Sequence, residues 1–197
     1  MWNERFAEPG YLFGTEPAQF LREHEQYLIP GGRALAVADG EGRNSVFLAS
    51  KGLDVTAMDG SSVAVEKARE LAKERGVTVD FNLADIMEWD WQNEAYDLVV
   101  AIFIQFSGPE DRQKVFAGLK KTLKKGGILM LHGYTVEQLE HGTGGPPCAE
   151  NLYTTEMLSK TFSDMEILHL KAYERDVDEG RAHSGRSSLI DLIARKK

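Results

Sequence analysis

Residues 34–59 of this chain read ALAVADGEGRNSVFLASKGLDVTAMD, and this stretch decides the fold. The apolar run Ala34–Ala38 predicts a buried strand, and the spacing of apolar residues over Arg43–Lys51 predicts a helix. Asp54–Met58 predicts a second strand. A strand, a glycine-rich turn, a helix and a second strand together form half of a βαβ unit.

The turn between the first strand and the helix, Asp39–Gly42, contains two glycines. Glycine allows a tight turn and a close approach of a ligand to the backbone, although a turn needs glycine whatever it binds. Asp59 ends the second strand, where a carboxylate can hold a ribose diol. The dinucleotide fingerprint G-x-G-x-x-G is incomplete, because Ser45 stands at its third glycine. A nucleoside ligand without a pyrophosphate does not need the full fingerprint, so the pattern favours S-adenosylmethionine over NAD.

The segment GEGRNSVFLASKGLDVTAMDGSS (residues 40–62) resembles the first motifs of class I S-adenosylmethionine-dependent methyltransferases. Within that superfamily it most resembles the small tellurite-resistance-type and thiopurine-type branch. The similarity continues in LADIMEW (83–89), YDLVVAIF (96–103) and LKKGGILMLHGY (123–134), in the order that the family has them. The chain departs from the family at Ala36 and Ala38, where many members have an acid and a glycine, and at Asp39, which is often Cys or Glu.

Strands and helices alternate along most of the chain, which predicts an open, mostly parallel, doubly wound sheet. Further helices are predicted at Glu16–Leu28, Ser62–Arg75, Glu110–Lys125 and Thr154–Phe162, and further strands at Val77–Leu83, Tyr96–Phe103, Ile128–Tyr134, Glu166–Val177 and Gly185–Lys196. The last two strands have no helix between them and should pair as a hairpin. The predicted fold is therefore α/β and Rossmann-like, with a seven-stranded, mostly parallel sheet and an antiparallel C-terminal hairpin strand, a finish that the resemblance also implies.

A chain of 197 residues can bury one sizeable core, so we expect a single domain over residues 1–197. Residues 1–29 contain too many aromatic and aliphatic side chains for a disordered tail, and we interpret them as a cover segment. Residues 33–134 carry the cofactor-binding motifs. Residues 135–197 carry the loop GTGGPP (142–147) and the hairpin, which we assign to the substrate side.

The charge and cysteine content argue against several classes of protein. A net charge of −8 and a pI of about 5.2 provide no basic surface for nucleic acid or an anionic membrane. Cys148 is the only cysteine, so no internal disulfide can form. The N-terminus lacks the apolar core of a signal peptide, and the longest apolar run, Leu98–Ile104, is too short to span a bilayer. We therefore expect a cytoplasmic protein that is a monomer or a weak homodimer.

Ligands of open α/β sheets bind beyond the carboxyl ends of the strands, so the candidate site residues are those at strand ends. Asp39 could accept a bond from the ammonium group of S-adenosylmethionine, Asp59 from its ribose and Asp85 from its adenine. Asp59 and Asp85 could instead be turn or helix-capping carboxylates. The complete predicted cofactor set is Asp39, Gly40, Gly42, Asn44, Asp59, Gly60, Asp85, Ile86 and Phe103.

Three residues are predicted to act on the methyl acceptor. Gln105 is polar at the end of an apolar run, and His132 and Tyr134 alternate near the end of the fifth strand, so they face the same side. Phe103 and Ile104 beside them are equally compatible with core packing.

The remaining histidines give a weaker signal. His183 lies in the predicted hairpin loop and His141 precedes GTGGPP, and lone histidines at such places are more often structural or solvated than catalytic. No two histidines have helical i, i+4 spacing, and one cysteine cannot form a thiolate cage. No metal site is predicted.

The predicted activity is methyl transfer from S-adenosyl-L-methionine to a small molecule, with S-adenosyl-L-homocysteine as the product. In such an in-line displacement, positioning of the reactants supplies about 7–11 kcal/mol. The lack of a committed acid–base pair is compatible with a soft acceptor, such as a thiol, selenium or tellurium species. Two alternatives stay open: a nicotinamide-dependent oxidoreductase, which would need the missing third glycine, and a non-catalytic S-adenosylmethionine-binding module.

A lid over the acceptor is also expected. Tyr11, Phe13 and Gly14 precede the first strand, where the resemblance implies a cover, and GTGGPP follows the strand that carries His132 and Tyr134. A lid of these two segments would exclude water from the reaction.

Overall fold

The computed structural model describes all residues from 1 to 197. The helices are α1 (Trp2–Phe6), α2 (Gln19–Glu23), α3 (Arg43–Ser50), α4 (Ser62–Arg75), α5 (Pro109–Thr122) and α6 (Thr155–Thr161), with short 3-10 helices at Glu25–Tyr27, Val136–Glu140 and Ala149–Asn151. The strands are β1 (Arg33–Val37), β2 (Asp54–Asp59), β3 (Asp80–Leu83), β4 (Tyr96–Ile102), β5 (Leu123–Tyr134), β6 (Glu166–Asp178) and β7 (Ser184–Arg195). None of the helices combines the length and the apolar character that crossing a membrane requires.

The seven strands form one sheet in the order β3-β2-β1-β4-β5-β7-β6. Strands β1 to β5 are parallel, and β7 runs antiparallel to both β5 and β6. The winding direction changes at β1, which lies between β2 and β4, and ligands of such sheets bind at this switch point. The predicted doubly wound α/β fold and its C-terminal hairpin are confirmed.

Alternating side chains of the central strands pack on opposite faces of the sheet, as the period of a strand requires. On one face, Val99 of β4 and Leu129 of β5 join the core under α5 and α6. On the other face, Val100 and Met130 pack with Phe20 of α2. His132 and Tyr134 continue the Met130 side of β5. His132 and Tyr134, two of the three residues predicted to act on the acceptor, therefore lie on the face that the N-terminal segment covers.

The N-terminal segment is less helical than the predicted helix Glu16–Leu28. The backbone at Ala18 is extended, and its N–H donates to Asn44 Oδ1 at 2.9 Å instead of to a helical carbonyl. The helix α2 then ends at His24, whose φ of −125° is not helical. Packing onto the glycine-rich turn, rather than helix propensity, decides the path of this segment.

Candidate functional site

Four strand ends meet at the switch point. Asp39 follows β1, Asp59 ends β2, Phe103 follows β4 and Tyr134 ends β5. The sheet order places these strands side by side, so three polar groups and an aromatic ring share one crevice. This is the arrangement that the sequence predicts from strand ends.

Asp59 connects β2 to the glycine-rich turn. Its Oδ2 accepts a hydrogen bond from Gly40 N–H at 2.8 Å, and its Oδ1 accepts one from Ser61 N–H at 2.8 Å. Burial raises the pKa of Asp59, and the two backbone hydrogen bonds oppose that shift. Each oxygen keeps a second lone pair, so the oriented carboxylate can still accept from a diol.

Asp39 binds the first turn of α3, whose N-cap is Gly42. Its carboxylate accepts hydrogen bonds from the backbone N–H of Ser45, at 3.2 Å, and from the Ser45 hydroxyl. Burial is the largest influence and raises the pKa of Asp39 to about 7, and the nearby Asp59 adds to it, while Ser45 and Arg43 act in the opposite direction. A carboxyl group with such a pKa responds strongly to the arrival of a cation.

Gly42 is required for helix packing. It has a φ of +88°, and an added Cβ would lie 2.7 Å from Ala68 Cβ on α4. The absent side chain thus makes room for the α3–α4 contact. Gly40, with a φ of +61°, faces Phe6 of α1, whose ring is 3.6 Å from the position of an added Cβ.

Asn44 also differs from its predicted role. Its side chain is buried, and its Oδ1 accepts from Ala18 N–H, so this oxygen fastens the N-terminal segment instead of facing a cofactor. Glu41 acts in the same way, because its buried carboxylate accepts from Leu12 N–H at 2.7 Å and pairs with Lys67. Glu41 and Asn44 thus bind the N-terminal cover segment to the glycine-rich turn.

The predicted adenine end of the site is only partly open. Asp85 is exposed, and its Oδ1 accepts from Met87 N–H at 2.9 Å in a local turn, which leaves Oδ2 free. Ile86 is almost fully buried in the main core. Gly60 is exposed, and an added Cβ there would meet only Ala84 O, at 3.7 Å.

The β6–β7 hairpin loop closes over the same turn from the other end of the chain. Arg43 forms a buried ion pair with Glu179, with Nη1 2.9 Å from Oε2. Glu179 Oε1 also accepts from Gln19 N–H at 3.0 Å. Burial alone would raise the pKa of Glu179, but Arg43 and the Gln19 N–H outweigh it and lower that pKa. The carboxylate thus links the hairpin loop, the cover and the glycine-rich turn.

His183, in the same loop, lies in a cluster of aromatic rings. Its ring centroid is 4.1 Å from that of Phe103, 4.5 Å from Phe13 and 5.6 Å from Tyr134, and the side chain is 7% exposed. Burial and then the nearby Arg43 lower the pKa of His183 well below its usual value. His183 Nδ1 and Tyr134 Oη are both buried without a hydrogen-bond partner. Such atoms are rare in native proteins and call for a partner.

The backbone at Phe103 is held in an uncommon conformation. Its φ is +57°, a value that costs a residue with a side chain free energy, and its N–H donates to His132 O at 2.8 Å. The ring lies 4.7 Å from Tyr134 and 4.9 Å from His132 between centroids. This backbone bend brings Phe103 out of the strand and into the crevice.

His132 and Tyr134 do face the same side, as predicted. His132 is buried, its ring stacks on Phe20 at 5.0 Å, and its Nδ1 donates to Asp191 Oδ1 at 2.6 Å. Tyr134 lies under the loop GTGGPP, because an added Cβ at Gly144 would be 3.3 Å from its Oη. Burial raises the pKa of Tyr134, so its hydroxyl stays protonated.

The side-chain amide of Gln105, which is predicted to act on the methyl acceptor, bonds to the backbone in this structure. Its Nε2 donates to Tyr134 O at 2.8 Å and to Asn151 O at 3.3 Å, and its Oε1 accepts from Tyr134 N–H at 2.7 Å. The amide is committed to the backbone that positions Tyr134. A polar residue at the end of an apolar strand was therefore a signal for a buried bridge, not for a free reacting group.

A surface cleft lies at the opposite end of the sheet. It has a volume of about 230 Å³ and is lined by residues that include Arg33, Asp80 and Tyr96, at the amino ends of β1, β3 and β4. Ligands of this fold bind at the carboxyl ends. We therefore place the candidate site in the crevice and not in this cleft.

Residues 34–127 match the family model described as a methyltransferase domain. These residues contain the glycine-rich turn, Asp59, Asp85 and Phe103, the set assembled around the switch point.

The chain is similar to the class I S-adenosylmethionine-dependent methyltransferases.

Curated relatives of this methyltransferase are similar over most of its length. The glycine/sarcosine N-methyltransferase of Aphanothece halophytica is 26% identical over 194 residues, which cover 87% of this chain and 68% of the relative. The glycine/sarcosine N-methyltransferase of Parasynechococcus marenigrum is 28% identical, with 87% and 64% covered. The chain thus spans about two thirds of the length of these relatives.

Solved structures share the fold of the methyltransferase at low sequence identity. TehB from Haemophilus influenzae superposes with a TM-score of 0.71 at 20% identity, over 91% of this chain and 62% of that one. A S-adenosylmethionine-dependent methyltransferase from Methanosarcina mazei gives a TM-score of 0.72 at 20% identity, over 87% and 95% of the two chains. S-adenosyl-L-methionine is the cofactor of this family.

The residues of the methyltransferase fit this cofactor. Carboxylates stand at the ends of β1 and β2 and after β3, and each has an acceptor lone pair left for an ammonium, a hydroxyl or an amino group. Ser45 stands at the third glycine of the dinucleotide fingerprint, and its side chain is fully buried and bonded to Asp39. The sequence analysis missed Glu41, Arg43 and Glu179, whose roles depend on partners far along the chain.

Proposed function

We propose that this enzyme transfers the methyl group of S-adenosyl-L-methionine to a small-molecule acceptor enclosed by the N-terminal cover and the hairpin loop. One observation carries the proposal. Tyr134 Oη and His183 Nδ1 are buried without partners beside Phe103, next to the strand ends that carry Asp39 and Asp59. An acceptor with a polar reacting atom would supply the missing partner.

The proposed cofactor contacts follow the strand ends. Asp39 accepts from the ammonium group, and the backbone of Gly40 and Gly42 lies along the methionine part. Asp59 and Gly60 hold the ribose, while Asp85 and Ile86 face the adenine. Phe103 borders the sulfonium group. When bound, S-adenosyl-L-methionine supplies the methyl group from this position.

His183 is the proposed proton acceptor. Because its pKa is lowered well below the usual value, the imidazole is neutral at pH 7 and has a nitrogen lone pair for a proton. Tyr134 stays protonated and is therefore a hydrogen-bond donor. These two groups suit an acceptor that loses a proton, such as an amine, and the two curated relatives named as glycine/sarcosine N-methyltransferases support that class.

His132 acts through its neighbours in this proposal. Its Nδ1 is committed to Asp191, and its ring lies between Phe20 and Phe103. It is thus a positioning residue that supports Phe103, while Tyr134 and His183 contact the acceptor. A soft acceptor, such as a thiol or a tellurium species, would need no base at His183. We further propose that residues 1–29 form the cover, residues 33–134 bind the cofactor and residues 135–197 form the substrate side. The proposed location is the cytoplasm.

The test is a screen for acceptor-dependent formation of S-adenosyl-L-homocysteine with small amines, thiols, phenols and oxyanions. The Asp59→Asn variant, prepared in parallel, measures background from contaminating enzymes. Turnover of an amine at a rate above that background supports the proposal. Turnover of thiols or oxyanions alone would move the acceptor to the soft class. If S-adenosyl-L-homocysteine binds but no acceptor is methylated, the non-catalytic binding module is the better description.

A further inference from the structure

Two histidines and an aspartate converge beneath the N-terminal cover, outside the proposed acceptor site. His24 lies at the end of α2, His169 on β6 and Asp191 on β7. One ligand atom from each lies within 4.8 Å of the others, and His169 Nε2 is 3.7 Å from Asp191 Oδ2. The helical spacing of histidines in the sequence predicts no metal site. His24 is more than 140 positions from the other two residues, so the three meet only in the fold.

His24 and Asp191 each have one side-chain atom committed elsewhere and one left over. His24 Nδ1 donates to Phe20 O at 2.9 Å, which leaves the lone pair on Nε2. Asp191 Oδ1 accepts from His132 Nδ1 at 2.6 Å and from the Tyr173 hydroxyl at 3.0 Å, which leaves Oδ2 toward His169. Outer hydrogen bonds of this kind orient the ligands of metal sites.

One ligand atom of the cluster lacks a partner of its own. His169 Nε2 is buried and makes no hydrogen bond in the structure. Asp191 beside it is only 3% exposed, so its carboxylate has little access to bulk water. A buried polar atom without a partner points to a missing group between the side chains.

We propose that His24, His169 and Asp191 bind a divalent transition-metal ion, with zinc as the best fit. Two imidazole nitrogens and one carboxylate oxygen match the three protein ligands of open zinc sites, in which water takes a fourth position. Magnesium and calcium are less suitable, because they prefer oxygen ligands. His169 is 31% exposed, which gives the ion and its water access from solvent.

Such an ion would connect the two ends of the chain. His24 belongs to the cover segment, whereas His169 and Asp191 belong to the C-terminal hairpin. Two further links tie α2 to the hairpin: the partly exposed ion pair between Glu23 and Arg175, and the hydrogen bond from Gln19 N–H to Glu179. Metal binding should therefore fix α2 on the sheet and protect the cover from opening.

The test uses tag-free full-length protein carrying Cys148→Ser, because the exposed thiol is itself a zinc ligand. Calorimetric titration with zinc chloride should show one site per chain. The His24→Ala and His169→Ala variants should bind zinc at least about tenfold more weakly, as loss of a ligand costs more than loss of an outer hydrogen bond. His141→Ala is the matched control, since it removes a histidine outside the cluster and should leave the affinity unchanged.

A second readout separates the ion from a purely structural cluster. Zinc should raise the melting temperature of the parent and slow hydrogen exchange over residues 19–28, and His169→Ala should abolish both effects. Absence of zinc binding to the parent, or equal binding by the parent and both cluster variants, would overturn the proposal.

Discussion

At the scale of single residues, Asp39 combines two demands on one carboxylate. It accepts from Ser45 N–H in the first turn of α3, and it follows β1, where the proposed ammonium contact is needed. Burial raises its pKa to about 7, so the free protein near neutral pH holds a mixture of the two protonation states. An ammonium group at this place would favour the ionised form.

This mixture makes cofactor affinity dependent on pH. Below about pH 7 the carboxyl group of the free protein is protonated and must lose its proton to pair with the ammonium. The affinity for S-adenosyl-L-homocysteine should then fall as the pH decreases, by up to about tenfold per unit. Calorimetry between pH 5.5 and 8 measures this slope. Asp39→Asn should bind more weakly at pH 8 and show little slope, and an equal slope in both proteins would refute the assignment.

His183 gives a prediction about turnover. With the acceptor found in the screen, His183→Ala should reduce kcat by about 10²–10⁴, the usual contribution of a general base. Because the pKa of His183 lies well below its usual value, the wild-type rate should not decrease between pH 8 and 6 through this group. The affinity for S-adenosyl-L-homocysteine serves as the control and should change little. A variant with unaltered kcat would remove His183 from the reaction.

The sequence predicts where a residue lies when it stands at the end of a strand. Asp59 ends β2 and Asp85 follows β3, so the strand pattern suffices to locate them. Gln105 and Asn44 could not be interpreted in this way, because their amide groups bond to Tyr134 and Ala18, far along the chain. His183 shows the same limit, since its pKa depends on a cluster formed by four distant segments.

At the scale of elements, the contact between α3 and α4 depends on the lack of a side chain at Gly42. An added Cβ would overlap Ala68 at 2.7 and 2.9 Å, and the backbone has a positive φ. Gly40 has a positive φ as well, but an added Cβ would make only ordinary contacts with Phe6, at 3.6 and 3.9 Å. The two glycines thus share the backbone constraint and differ in packing.

Gly42 and Gly40 therefore form a matched pair of positions for mutagenesis. Both Gly42→Ala and Gly40→Ala should lose about 1–2 kcal/mol from the left-handed backbone. Gly42→Ala should lose a further 1–3 kcal/mol or so from overpacking. Urea unfolding without ligand measures both free energies. Equal losses would mean that α4 shifts freely and that Gly42 is not needed for helix packing.

Most elements could be predicted because their own residues decide them. Ser62–Arg75 agrees with the prediction at both ends, since Ser61 caps its start and Gly76, with a φ of +67°, ends it. The helix expected at Glu16–Leu28 failed because its first turn is given up for the bond to Asn44. Local pattern therefore predicts an element until a distant partner competes for its backbone.

At the scale of the whole molecule, the two ends of the chain meet above the crevice. Ala182 N–H donates to Leu12 O at 3.3 Å, and Arg181 pairs with Glu8 at 3.0 Å. Gly180 packs directly on the cover, where an added Cβ would lie 2.5 Å from Gly14 N and 2.5 Å from Phe13 C. The cover and the hairpin loop are therefore in direct contact, and we propose that they form one lid.

A methyl group at Gly180 should force this lid apart. Gly180→Ala should speed hydrogen exchange over residues 11–18 and weaken binding of S-adenosyl-L-homocysteine, because the closed contact costs about 1–3 kcal/mol more. Gly10→Ala is the matched control: its φ of +78° is similar to the +83° of Gly180, but nothing lies within 4 Å of an added Cβ. Identical exchange in the two variants would contradict a closed lid at this place.

We propose that the crevice at the ends of β1 and β2 binds S-adenosylmethionine through Asp59. One calorimetric titration tests this binding. S-adenosyl-L-homocysteine should bind the wild-type protein at one site per chain, while NAD should not bind. Asp59→Asn should weaken binding roughly ten- to a hundredfold, as expected for loss of charge-assisted hydrogen bonds of about 1.5–3 kcal/mol. Asp54→Asn, at the exposed opposite end of the same strand, should bind like the wild type. Binding of NAD without S-adenosyl-L-homocysteine, or an unchanged affinity in Asp59→Asn, would contradict the account.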